Sequence, residues 1–297
     1  MAIWQDATLS GTAPGDVITV GSGPDSVRVL SPKFLDGTTA YVGFGVQIAP
    51  GAGYPFANTE ASDLVARMTD APSEARKGQI DTLIGSLKAA GVWSKLDALY
   101  VMAAHDAHAA RLNWKQVLYD LVPVNAPTFT ADRGYQGDGS TSYLDSGFDP
   151  SLAGGLFAKD DAHIGVRPLT NIASNALDIG TTNLRISTRT ATDRISGRIN
   201  DASAINNPVT ATTSAHHVVL SRLDPAGYSV FKDGGSATAQ TVASSAIASG
   251  AIQVCAAMSL FSQRQIAVAH WGAGLTEAEN AALYTATQTY LAAIGAV

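Results

Sequence analysis

Beyond Val122 the chain breaks into short apolar–polar runs separated by Gly, Ser, Thr and Asn clusters. That rhythm leaves few folds open. A strand half exposed to water needs a core on one side only, and frequent turns return it to its neighbour, so the pattern predicts an antiparallel sandwich or barrel. The strand candidates are Ala162–Arg167, Leu184–Thr188, Arg194–Ile199, His216–Arg222, Tyr228–Lys232, Ala251–Met258 and Gln265–Trp271. The turns Asp224-Pro225-Ala226-Gly227 and Lys232-Asp233-Gly234-Gly235 flank one of them, with glycine where a hairpin needs it.

Upstream the period changes. From Asn58 to about Lys115 apolar residues recur at helical spacing, with Leu64, Val65 and Met68 behind the cap candidates Asn58 and Thr59. A second helix is predicted after Pro72-Ser73, with Ile80, Leu83, Ile84 and Leu87 on one stripe and Gly91 as its stop. A third is predicted at Ser94–Ala104, burying Trp93, Leu96, Leu99, Tyr100 and Ala103. Residues 1–57 carry β-like runs at Val17–Val20, Ser26–Leu30 and Ala40–Ile48. Their core is too small to stand alone, which implies a partner surface and a homo-oligomer. At the other end Thr276 and Glu279 have capping-box spacing, followed by Leu283, Thr287, Tyr290, Leu291 and Ile294 on one face and Gly295 as the stop. The expected chain is therefore mainly β: an N-terminal β attachment module (1–57), a helical linker segment (58–121) and an antiparallel β-sandwich of jelly-roll type with a C-terminal helix (122–297).

Composition narrows the chemistry. A chain of 297 residues can bury a core without staples, and 19 basic against 25 acidic side chains leave a net charge of -6. No broad basic surface suits nucleic acid or anionic lipid, so neither is an expected partner. The single cysteine, Cys255, allows no intramolecular disulfide and no paired-cysteine metal site, and its apolar surroundings predict a buried thiol. No apolar run reaches membrane-spanning length and Met1–Asp6 lacks a signal-peptide start, so synthesis in a cytoplasm is expected. Gly21-Ser22-Gly23-Pro24 places proline where a phosphate loop wants a free backbone donor, and no cofactor is expected.

The stretch Gly134-Tyr135-Gln136-Gly137-Asp138-Gly139-Ser140-Thr141-Ser142-Tyr143-Leu144-Asp145-Ser146-Gly147-Phe148 resembles the opening hairpin of laminin-G or concanavalin-like jelly rolls. His217–Arg222 followed by Tyr228–Gly234 resembles that family's central strand pair, and Ile266–Gly272 with Leu275-Thr276 and Glu279–Tyr284 its last strand and trailing helix. Residues 76–114 are similar to the helical lead-in found before such domains in phage and prophage structural proteins. The resemblance implies a tail fibre, head fibre or decoration protein, assembled in a bacterial host cytoplasm, located in the virion and bound to other capsid or tail proteins.

Jelly-roll glycosidases of this architecture place two glutamates and an aspartate alternately on one strand, so that acid and nucleophile flank one glycosidic bond. Here the only glutamates are Glu60, Glu74, Glu277 and Glu279, outside the β region, and no enzyme is expected. His105 and His108 read as a polar helix end, and His216-His217 must point to opposite faces of a strand, His217 inward with Val219. Asp132, Asp138, Asp145 and Asp149 read as turn formers, so no metal is expected. Tyr135, Tyr143, Phe148 and Trp271 read as core. Arg185, Arg189, Arg194 and Arg198 differ in kind. Spaced by four within each pair, they share an outward face while Ile186 and Ile195 point in, which makes them the candidate ligand-binding residues for an acidic or hydroxyl-rich cell-surface glycan. The expected function is a non-enzymatic virion protein displaying a lectin-like domain. The alternatives are a polysaccharide depolymerase and a purely architectural decoration protein.

Overall fold

A computed structural model describes residues 17–20, 27–30, 54–202 and 206–296. The chain divides into two compact units, Met1–Pro55 and Phe56–Val297. In the first, β1 (Val17–Val20) and β2 (Val27–Leu30) form an antiparallel pair with Val17 opposite Leu30. The run expected at Ala40–Ile48 lies outside the described residues.

The second unit is an antiparallel sandwich. One sheet has seven strands in the order β12 (Asn206–Thr210), β11 (Arg194–Ile199), β10 (Leu184–Ser187), β9 (Ile179–Thr182), β16 (Ser249–Val254), β7 (Tyr143–Asp145) and β4 (Val122–Val124). The other runs β15 (Thr238–Gln240), β14 (Tyr228–Lys232), β13 (Val218–Arg222), β8 (Ala162–Pro168), β19 (Gln265–Gly272), β6 (Gly134–Gln136) and β5 (Thr128–Thr130), and β3 (Leu96–Val101) also pairs with β19. A small hairpin, β17 (Ala256–Ala257) and β18 (Leu260–Phe261), stands apart from both. Between the sheets lies a core that includes Leu144, Phe148, Ile164, Val166, Ile179, Ile186, Ile195, Leu220, Val254 and Trp271. The alternation read from the sequence is the reason. The inner strands of each sheet turn alternate side chains into this core, as Leu184 and Ile186, Ile195 and Ile199, and Val218 and Leu220 do.

A third layer covers the other face of the second sheet. Helices α1 (Thr59–Ala66), α2 (Glu74–Ala89) and α3 (Glu277–Ala293) share a second core with Leu99, Val101, Ala267 and Val268 from the strands beneath. Asn58 stands at the N-cap of α1 but spends its side chain on Asp81 and makes no cap bond, a correction to its reading as a capping side chain, whereas the other local signals act as expected. Ser73 Oγ accepts from the Arg76 amide and caps α2, Thr276 and Glu279 complete the capping box of α3, and Gly91 and Gly295 take the left-handed conformation just past α2 and α3. Asp81 on α2 accepts from the backbone amides of Ala57 and Asn58, tying down the start of α1.

The helix expected at Ser94–Ala104 is a correction. Only a single 3-10 turn forms, at Trp93–Lys95, and Leu96–Val101 is strand β3. Every residue of β3 is buried, with Ala98 and Tyr100 facing the sandwich core and Leu99 and Val101 facing the helices. A strand covered on both faces loses its alternation, so an unbroken apolar run imitates a helix.

Candidate functional site

Among the described residues no helix packs on the outer face of the first sheet. In the hairpin of β10 and β11, Leu184, Ile186, Ile195 and Ile199 fill the core, so the residues between them point outward. Arg185 stands directly opposite Arg198, and Ser187 opposite Ser196. Arg194, at the start of β11, is exposed on the same side, its Nη1 3.2 Å from Thr210 Oγ1. Arg189 lies beyond the end of β10 in the connecting turn. Its guanidinium is held by Asp193 at 2.7 Å and by Asn171 Oδ1 at 2.6 Å, so it is neutralised rather than presented. The structure thus brings Arg185, Arg194 and Arg198 to one face and ties Arg189 to its own turn.

The register extends this face across the sheet. Arg198 opposes Arg185, Arg185 opposes Gly180, Gly180 opposes Gln253, and Gln253 opposes Asp145. Directly opposed residues of antiparallel strands share a side, so these form one transverse row with two cations at one end and a carboxylate at the other. Gly180 sits at φ 143, and a Cβ there would fall 2.6 Å from the Arg185 Cα. Only glycine fits, and it lets the two strands pack closely in the middle of the row, where it is itself buried.

Arg185 is only 9% exposed. Its Nη1 meets Met258 Sδ at 2.9 Å, and its Nε has no hydrogen-bond partner. Burial first, and the nearby Arg198 charge second, lower its pKa from the ordinary arginine value. Arg198 Nε is 3.7 Å from Asp201 Oδ1. Met258 and Ser259 both have positive φ and form the tip of the β17–β18 hairpin, where Met258 is half exposed. Phe261 at the other side of that hairpin packs on Tyr143, ring centroids 6.1 Å apart. Tyr143 is therefore a half-buried residue of the outer face, a correction to its reading as core, while Tyr135, Phe148 and Trp271 are in the core as expected.

The other polar constellation lies between the second sheet and the helices. His163 on β8, His270 on β19 and His217 just before β13 are fully buried in one chain. His163 Nδ1 is 2.5 Å from the Ala273 carbonyl, His163 Nε2 is 3.1 Å from His270 Nδ1, and His270 Nε2 is 2.8 Å from His217 Nε2. A carbonyl only accepts, so His163 Nδ1 carries a proton and its Nε2 accepts from His270 Nδ1, whose Nε2 in turn accepts from His217 Nε2. All three rings are neutral in this arrangement, and burial lowers each pKa, His163 to about 4, His217 to about 3 and His270 well below the usual value. Gly165 makes the room, since a Cβ there would lie 2.2 Å from the His270 ring, and Tyr284 of α3 stacks on His217. Both His270 nitrogens are used within the chain, leaving none for a metal. Among the described residues no group of His, Cys, Asp and Glu could hold one.

The remaining polar candidates have structural work. His105 contacts Asp106 Oδ2 at 2.8 Å and the Asp70 carbonyl at 2.9 Å in a turn, where a helix end was expected. His217 is inward as expected, and His216 bonds Asp233 at 2.7 Å. Asp138 accepts from the amides of Ser140, Thr141 and Ser142, which hold its carboxyl far below the usual range, and Asp149 accepts from Ser151 and Gly250. Cys255 is buried, which pushes its thiol up to about 12. Sequence reasoning missed the buried pair Asp178–Arg264, 2.8 Å apart, and Arg222, which donates to the carbonyls of Ile199, Gly227 and Val242. Each is an arginine within or beside an apolar strand, and that is the signal that could have found them.

No protein-family model and no curated protein matches the chain. Among solved structures it is similar to a mutant of Trypanosoma rangeli sialidase displaying trans-sialidase activity, with a TM-score of 0.51 and 12% identity over 71% of this chain and 39% of that one. It is also similar to Trypanosoma rangeli sialidase in complex with sialic acid, at a TM-score of 0.50 and 11% identity over 71% and 39%. The chain thus spans about two fifths of the length of these sialidases. At such identity the likeness is one of fold, an antiparallel β-sandwich.

Proposed function

We propose that this chain is a carbohydrate-binding component of a phage-type virion, with no catalytic role, that reads acidic surface glycans through the outer face of its seven-stranded sheet. The observation that carries the reading is the transverse row on that face, where Arg198 and Arg185 are followed by Gly180 and then by Gln253 and Asp145. Guanidinium forks pair with carboxylates, while amide and carboxylate side chains bond hydroxyls. The similar sialidase was solved with sialic acid, an acidic sugar, which agrees with this reading at the level of fold. A non-catalytic role is supported by the carboxylates near the face, since Asp145 receives the Gly147 amide, Asp193 holds Arg189, and Asp201 receives the Ile199 amide. The virion role, with capsid or tail partners and attachment through the first unit, rests on the resemblance of residues 76–114 to the helical lead-in of phage and prophage structural proteins.

Retention of the protein on columns of an acidic and a neutral polysaccharide, at low and high salt, tests the binding reading. The acidic column should retain it at low salt, Arg194→Ser/Arg198→Ser should elute early, and no reducing sugar should be released. Equal retention of the double variant with its fold intact would overturn the assignment of this face. Release of reducing sugar would favour the depolymerase.

A further inference from the structure

We propose that the outer face contains a subsite for one sugar carboxylate, formed by Arg185, Arg198 and Ser196 and closed in the free protein by the thioether of Met258. It rests on the carbohydrate-binding reading above and specifies the chemistry of the group recognised.

The argument starts from an incomplete set of hydrogen bonds. Burying a guanidinium is costly unless its donors are satisfied. Arg222 and Arg264, the other deeply buried arginines, follow that rule, donating to backbone carbonyls and, for Arg264, to Asp178. Arg185 does not. Its Nε is unbonded, its Nη1 faces a thioether, and its directly opposed neighbour is another cation. A thioether is among the weakest acceptors a protein can offer. Ser196, next along β11 on the same side, has a buried hydroxyl that is also without a partner. Donors left unfilled beside paired positive charge describe the complement of an oxyanion.

The neighbours select which oxyanion. A carboxylate is planar and takes two parallel N–H bonds from one guanidinium, and its negative charge offsets the repulsion between that guanidinium and the second. Gln253 and then Asp145, both half-buried, follow in the same row for the hydroxyls of the ring that bears the carboxylate. Asp145 repels a second anion, so the sugar is oriented with its charge toward the arginines. Met258 holds the place of the ligand oxygen. Its side chain is unbranched and flexible, and its position at a half-exposed hairpin tip lets it leave when a stronger acceptor arrives.

The test uses the methyl resonances of the full chain labelled at methionine. The sequence has 4 methionines. The Met258 signal is identified by its loss in Met258→Leu, and the buried Met102 reports on the fold. Glucuronate should shift the Met258 methyl saturably with a Kd on the order of 1 mM, as expected for one charged group on a monosaccharide, and glucose should leave it in place. Arg185→Gln should weaken the effect at least tenfold with Met102 unmoved. If Arg185→Gln displaces Met102, Arg185→Lys is read instead, because it keeps the charge and loses the fork; unchanged glucuronate affinity in that variant overturns the proposal. Sulfate acting as strongly as glucuronate overturns the carboxylate assignment. Silence toward glucuronate, with polysaccharide retention intact, overturns this subsite and leaves the binding face standing, whereas loss of both removes the two together.

Discussion

Acidification from pH 7 to pH 5 should destabilise this fold through three residues, His163, His217 and His270. Each ring is neutral and buried in the folded chain, with pKa values lowered to about 4 and about 3 for His163 and His217 and lowered well below 6.5 for His270. In the unfolded chain each titrates near 6.5. Between those limits the unfolded state binds more protons than the folded one, so stability rises with pH and is lost as pH falls from about 7 toward 4. Per histidine the loss from pH 7 to pH 5 comes to about 2 kcal/mol, and for the three together about 5 to 6 kcal/mol. That is comparable with the whole stability of many domains. The cost has a geometric origin: one extra proton on the chain sets a donor against a donor between fully buried rings. Urea unfolding followed by circular dichroism at pH 7, 6 and 5 measures it. The window excludes the carboxylates with lowered pKa values, such as Asp149, Asp233 and Glu279, whose contribution fades only below about pH 4.5. His217→Gln removes one titrating group and should cut the loss by about a third. A stability that changes by less than about 1 kcal/mol over the window would refute the buried neutral chain.

Two further outcomes follow from packing. Leu291→Ala in α3, at a fully buried site of the helical layer, should cost about 2 to 5 kcal/mol by urea unfolding, and a loss below about 0.5 kcal/mol would mean that the helix is not docked. Asp178→Ala should cost about 3 to 5 kcal/mol in the same assay, because it strands the Arg264 guanidinium in the interior, and a near-neutral result would show that water reaches the pair.

The legible parts of this chain are those with one wet face. Arg194–Ile199 was found to the residue because Ile195 and Ile199 alternate with Arg194, Ser196 and Arg198, and Tyr228–Lys232 because explicit turn chemistry brackets it. The same alternation foretold that Arg185 and Arg198 point outward. Leu96–Val101 was misread because water touches neither side of it. The histidine chain was illegible for a different reason. His163 and His270 lie 107 residues apart, and each sits singly in an apolar strand, where nothing local announces a partner. Arg189 shows the limit of periodicity. Its spacing from Arg185 is right, but the strand ends first, and Asp193, only four residues on, takes the charge.

The helical layer makes this unit a directional object. Among the described residues α1, α2 and α3 lie over one sheet, and the arginines stand on the outer side of the other. Copies fixed to a common scaffold by their covered sides would all aim the same way, and a repeating polymer could then engage several at once. Grip would be governed by the spacing of copies against the repeat of the polymer more than by the strength of any one contact, and a weak site would suffice.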